Sequence, residues 1–95
     1  MSINSAMLAG AAGMRANSSA LAAISDNIAN VNTVGYKRLR NDFTSLLNSQ
    51  NRQSTYNAGD VSSRSSPLMS EQGSSIASSV ATHLAVSGNG FFVVR

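Results

Sequence analysis

Ile3 to Ile28 read INSAMLAGAAGMRANSSALAAISDNI, and the fold turns on the period of that stretch. Met7, Met14, Leu21 and Ile28 recur every seven positions, and Ile3, Gly10, Asn17 and Ile24 form the interleaved set. Together they are the a and d positions of four heptads, the spacing of a helix with a coiled-coil seam. No proline interrupts residues 2–31, and Arg15 and Asp26 are the only charges there. A helix of this extent runs about 40 Å, too long for the rest of so short a chain to bury. The seam therefore calls for partners. Asn17 occupies a core-type position, where a polar residue fixes register at some cost in stability.

Small residues accompany the seam. Ala6, Ala9, Gly10, Ala11, Ala12, Gly13, Ala20, Ala22 and Ala23 are spread around the helix and let neighbouring backbones approach on more than one side. Gly10 and Gly13 each cost about 1 kcal/mol of helix propensity relative to alanine. The arm is accordingly expected to be mobile in the monomer and to order on assembly. The plainer alternative is an amphipathic helix of a small bundle. A membrane-surface helix would carry lysines and arginines on its polar face, and this one does not.

Composition points the same way. Ninety-five residues make one small domain at most. Much of the 42% hydrophobic share is alanine and only 5% of the chain is aromatic, so side chains for a thick core are scarce. Such a chain is better suited to lie against copies of itself than to close around its own centre. The net charge of +3 comes from 7 basic and 4 acidic residues, scattered except for the cluster Lys37–Arg40. Nucleic-acid binders concentrate their basic groups into a patch, often with stacking aromatics; a weakly basic polar surface is the simpler reading here. Without cysteine, disulfides and thiolate metal sites are excluded. No basic n-region precedes an apolar run, and no run reaches ~18 apolar residues, so neither a cleaved signal peptide nor a membrane span is expected.

Beyond the heptads the texture changes twice, giving an α+β expectation: a helix over residues 1–31, an extended polar connector over 32–66, and the start of a β-rich domain over 67–95. Gly35 helps to end the helix by admitting a positive φ. Asn41-Asp42 before Phe43, Leu46 and Leu47 suggest a short capped helical turn. Asn48 to Ser66 has linker composition, with Tyr56 and Val61 its only larger apolar groups. Ser75 to Ala81 is a weak strand candidate. His83–Val86 and Phe91–Val94 flank Ser87-Gly88-Asn89-Gly90, and Asn89-Gly90 suits a hairpin turn with adjacent positive φ. Phe91-Phe92-Val93-Val94 is apolar on both faces and is followed only by Arg95, so the chain reads as the truncated opening of a larger protein.

The densest motif runs from Ser25 to Lys37. Asn27, Asn30 and Asn32 put carboxamides at a helix end, where the last carbonyls lack internal partners. They can bridge to neighbouring chains or to the returning backbone, with Gly35 permitting a tight exit and Tyr36 as an anchor; the bland alternative is a polar cap. Catalytic readings fare poorly. His83 is the single histidine, with no elbow motif to nominate a serine. Gly88-Asn89-Gly90 lacks the third glycine of a dinucleotide fingerprint and leads into a strand. No enzyme, cofactor or metal site is expected.

Asn27-Ile28-Ala29-Asn30-Val31-Asn32-Thr33-Val34-Gly35-Tyr36-Lys37, after a heptad-bearing helix, resembles the N-terminal signature of flagellar rod and hook proteins. Leu84 to Val94 resembles that family's hairpin, with Gly88, Asn89, Gly90, Phe91 and Phe92 at its turn and returning strand. Asp42-Phe43 and Gln72-Gly73 are also similar to residues the family carries. His83, Ser74-Ser75, Ser62-Ser63 and Arg64 depart from the pattern and weaken packing over residues 60–83. The resemblance implies a homo-polymeric tube, its subunits exported by the flagellar type III apparatus without a cleaved signal and localised to the flagellum. The helix would pair with a C-terminal helix that is absent from this chain. The long polar stretch from Asn48 leans toward the hook, a bending coupling that passes torque from rod to filament and meets the rod, the hook cap and the hook–filament junction. The alternative is a rigid periplasmic rod subunit. From another class, a membrane-active or nucleic-acid-binding module is the remaining rival, with no stable membrane insertion and no nucleic acid expected.

Overall fold

The computed structural model describes residues 3–46 and 59–95. Helix α1 spans Ile3–Ala29, strand β1 Leu39–Leu46 and strand β2 Asp60–Pro67; no further helix or strand occurs among the described residues. The strands form one antiparallel pair, in register from Leu39 opposite Pro67 to Leu46 opposite Asp60. Side chains alternate across such a pair. Leu39, Asn41, Phe43, Ser45, Val61, Ser63 and Ser65 therefore share one face, and Arg40, Asp42, Thr44, Ser62 and Arg64 the other.

The helix packs along the hairpin, touching both strands and β2 the more extensively. Its contact stripe is small. Ala16 and Ala23, each 4% exposed, are the buried hydrophobic residues, and Ala9, Ala12 and Ala20 beside them are half-buried. Their spacing of three and four places all five on one side of a helix. The small residues thus concentrate on the face that meets the hairpin, and the arm has an intrachain partner there.

No thick core results. The accessible surface is 8472 Å², where a compact monomer of this mass exposes about 5000 Å². The radius of gyration is 21.3 Å and the extents are 70 × 24 × 22 Å, against about 12 Å for a globular chain of this length. The molecule is elongated, about three times as long as it is wide.

Four sequence expectations need correction. Asn41 to Leu46 is strand, not a capped helical turn, and residues 60–67 pair with it instead of forming linker. Serine is a poor strand former, but docking under α1 outweighs propensity. Leu47 and Tyr56 lie outside the described residues. The hairpin expected over 83–94 is likewise not formed, and Ser75 to Ala81 is not strand. Positive φ occurs at Gly88 (95°) and not at Asn89 or Gly90, which excludes the two-residue turn those residues suggested. The Gln72 side chain supplies the physical reason: its Nε2 donates to the Val86 carbonyl and its Oε1 accepts from the Gly88 N–H. Backbone groups that would close the turn are thereby occupied, and a two-stranded hairpin with no covering layer is marginal in any case. Phe91 is 98% exposed and Phe92, Val93 and Val94 are also open to solvent.

Candidate assembly interface

At 100° per residue, the seam named from the heptads lies roughly 140° around α1 from the alanine stripe. Ile3, Met7, Met14, Leu21, Ile24 and Ile28 are all exposed, as are Gly10 and Asn17. A Cβ built on Gly10 or on Gly13 meets nothing within 4 Å. The structure thus brings the eight seam positions onto one continuous face, about 40 Å long, and sets no part of the described chain against it.

The asparagine cluster divides its labour. Asn27 is the pin. Its Nδ2 donates to the Leu39 carbonyl at 2.9 Å, and its Oδ1 accepts from the Leu39 N–H at 2.8 Å and from the Tyr36 hydroxyl at 3.1 Å. The carboxamide thereby pairs with Leu39 as a neighbouring strand would, and fastens the last turns of α1 to the start of β1. Asn30 caps the helix: its side chain donates to the Asp26 carbonyl and accepts from the Thr33 hydroxyl. Backbone bonds from Thr33 to Asn30 and from Tyr36 to Thr33 carry the chain round, and Gly35, with φ 79°, takes the left-handed position of the reversal. Asn32 is exposed and makes no side-chain bond among the described residues.

Beyond the pin a second clasp appears that the sequence reading did not single out. Arg38 reaches Glu71 through Nε and Nη2 at 3.1 Å each, a two-pronged contact on the surface. Lys37 donates to the Glu71 carbonyl, and the Leu68 N–H donates to the Arg38 carbonyl at 3.0 Å. Gln72, next in sequence, holds Val86 and Gly88. Helix end, hairpin base and C-terminal segment are therefore joined through Asn27, Arg38, Glu71 and Gln72 in turn. Exposed forks of this kind leave no periodic signal in a sequence, and residues more than thirty positions apart do not announce each other.

The basic cluster is engaged internally. Lys37 and Arg38 turn to Glu71, and Arg40 pairs with Asp42 at 2.9 Å. That hydrogen bond, then the charge of Asp42, pushes the Arg40 guanidinium above its ordinary range. On the same outer face Asp42 stands opposite Arg64, so charges of both signs alternate where a phosphate backbone would need one sign. Ser78 lies 2.7 Å from His83 Nδ1, but both are exposed. The Ser78 hydroxyl also accepts from the Val80 N–H, so the pair closes a surface turn. Among the described residues no group of three or more His, Cys, Asp or Glu is placed to hold a metal ion. No helix there is long and apolar enough to cross a membrane.

Comparison with known proteins gives this geometry a context. The family model for flagella basal body rod proteins matches residues 7–37, the segment from the second seam position through the asparagine pin. The flagellar hook protein FlgE of Caulobacter vibrioides is 55% identical over 93 residues, which cover 98% of this chain and 16% of that protein. FlgE of Rhizobium meliloti is 39% identical over 95 residues, covering 100% of this chain and 23% of that protein. The flagellar basal-body rod protein FlgG of Agrobacterium fabrum is 52% identical over 42 residues, 44% of this chain. The chain thus spans between 16% and 23% of these two hook relatives' length. No solved structure matches it.

Proposed function

Since the chain belongs to the flagellar rod and hook family and is a homologue of the N-terminal part of flagellar hook proteins, we propose that it is the self-assembling end of a hook subunit. One observation carries the reading. Helix α1 lays its alanine face on its own hairpin and leaves its large apolar face open along its whole length. A seam of that kind is stable in water only when other helices cover it. In the proposal, residues 1–31 line an inner tube against further copies and against a helix from the subunit's own C-terminal part. Residues 32–66 form the joint, and residues 67–95 open the outer domain.

The torque-transmitting role follows from where rigidity and compliance would lie. A close-packed helical interior resists twist, whereas the joint is held by the half-buried Asn27 pin and, beyond it, by exposed polar clasps such as Arg38–Glu71, each worth less than about 1 kcal/mol. Such contacts exchange for water readily and let the outer parts slide as a tube bends. The rod, the hook cap, the hook–filament junction and the type III export apparatus are the partners this role entails. The subunit is structural and not enzymatic. A rod subunit is the second reading, favoured by the high identity to FlgG. That match covers less than half of this chain, whereas the hook relatives align through the hairpin and the C-terminal segment as well.

The test is Met14→Asp or Leu21→Asp in the full-length subunit. A buried, unpaired carboxylate in the seam is strongly unfavourable, so tube formation in electron micrographs is expected to stop while circular dichroism stays that of the parent. Tubes of normal length from either folded variant would remove the seam from the account.

A further inference from the structure

Resting on the seam reading above, we propose that Met7 and Met14 are oxidation sites through which a peroxide stops the free subunit from assembling. The two side chains lie one heptad apart on the open face of α1 and are 68% and 70% exposed. At 100° per residue both lie on the side of α1 away from the buried Ala16 and Ala23, so oxidation leaves that intrachain contact intact. Thioether sulfur attacks the terminal oxygen of hydrogen peroxide; an S–O bond forms as the O–O bond breaks, the sulfur is oxidised by two electrons, and water leaves. The product, methionine sulfoxide, is polar and chiral where the seam needs a flexible apolar side chain.

The consequence follows from position. A sulfoxide oxygen carried into a helix–helix seam exchanges its hydrogen bonds with water for an apolar surrounding, and a buried acceptor left without a donor is costly. Two such groups fall within one stretch of each subunit, and the repeat of the polymer multiplies them. Met69 supplies the internal contrast. It is 69% exposed, as open to solvent as the other two, yet it lies past the end of β2 at Pro67 and is not on α1. Equal chemistry at Met69 leaves the seam unchanged. Once subunits are packed, Met7 and Met14 are covered, and sensitivity belongs to the subunit before assembly.

The experiment treats the full-length subunit with hydrogen peroxide before and after polymerisation, locates sulfoxides by peptide mass mapping, and measures the critical concentration for tube formation. Met7 and Met14 are to be replaced together by leucine in one variant, and Met69→Leu forms another. Sulfoxide at positions 7 and 14 is expected to raise the critical concentration about tenfold or more. Assembly by the double leucine variant in peroxide, no rescue by Met69→Leu, and recovery on treatment with methionine sulfoxide reductases complete the expected result. Normal assembly of a subunit oxidised at both positions, while Met14→Asp still blocks tubes, overturns the proposal and spares the seam. Normal assembly of Met14→Asp itself overturns both.

Discussion

Asn27→Ala removes the pin between helix and hairpin. The side chain makes three hydrogen bonds, two to Leu39 at 2.8 and 2.9 Å and one to Tyr36 at 3.1 Å. A typical intramolecular bond contributes about 1 kcal/mol net, and a group left without its partner costs more when water cannot reach it. Asn27 is half-buried, so water replaces part of what is lost, and the sum comes to about 2–3 kcal/mol. A small domain has only about 5–15 kcal/mol in total, and among the described residues here just two alanines are buried. The base of the hairpin is therefore expected to detach from α1 in a measurable fraction of molecules. The assay is hydrogen exchange at the Leu39 amide, whose acceptor is Asn27 Oδ1; its protection should fall by at least about tenfold. Asn27→Asp sharpens the test. A carboxylate still accepts from the Leu39 N–H and the Tyr36 hydroxyl but cannot donate to the Leu39 carbonyl. Stability should fall while Leu39 keeps protection relative to the alanine variant. Wild-type exchange at Leu39 in Asn27→Ala would refute the claim that this carboxamide holds the joint.

Ala23→Leu inserts three heavy atoms into the tight contact between α1 and the strands and should cost about 1–3 kcal/mol, read as a lower denaturation midpoint; an unchanged midpoint would place the contact elsewhere. Gly59→Ala sets a Cβ 2.6 Å from the Leu46 carbonyl oxygen, so faster exchange is expected at the Leu46–Asp60 end of the hairpin, with the Leu39 end unaffected. Glu71→Gln removes an ion pair that is more than half exposed on both sides; a loss below about 1 kcal/mol is expected, and salt titration of the parent should show the same small effect. Gly10→Ala should stabilise the isolated helix by about 1 kcal/mol, since nothing among the described residues lies within 4 Å of the added methyl; reduced polymerisation of a more helical variant would show that neighbouring backbones approach at that point.

The long helix was legible because its cause is local. Seven-residue spacing and the absence of proline act on a single segment, and Gly35 at φ 79° closes it where a positive φ was sought. The hairpin was not legible because its cause is tertiary. Ser62, Ser63, Ser65 and Ser66 read as linker, and they become strand because the helix packs on the pair and Arg40 to Thr44 pair along their edge. The helix's small residues pointed to that partner: Ala9, Ala16 and Ala23 repeat every seven positions, as the seam does. Read as scatter, they concealed a second face. Over residues 83–94 the opposite error arises from trusting turn chemistry alone. Asn89-Gly90 permits a hairpin turn, but Gln72 claims the neighbouring backbone groups first.

The two faces of α1 are unequal, and the inequality argues for which contact governs. Alanine contributes little area, so the contact with the hairpin rests on a stripe of methyl groups worth about 0.8 kcal/mol each at full burial. The seam carries six isoleucine, leucine and methionine side chains, each between 51% and 82% exposed. Covering a residue of this size contributes about 1.5–3 kcal/mol in full, so the seam as a whole holds on the order of 10 kcal/mol. Part of that offsets the lost freedom of an associating chain; the remainder still exceeds what the alanine stripe supplies. On the proposed reading, a helix built this way binds its own hairpin just firmly enough to set the direction of its seam and would bind neighbours far more firmly along it. Exchanging the faces, with alanine at the seam and leucine beneath the strands, would yield a more stable monomer with little reason to polymerise.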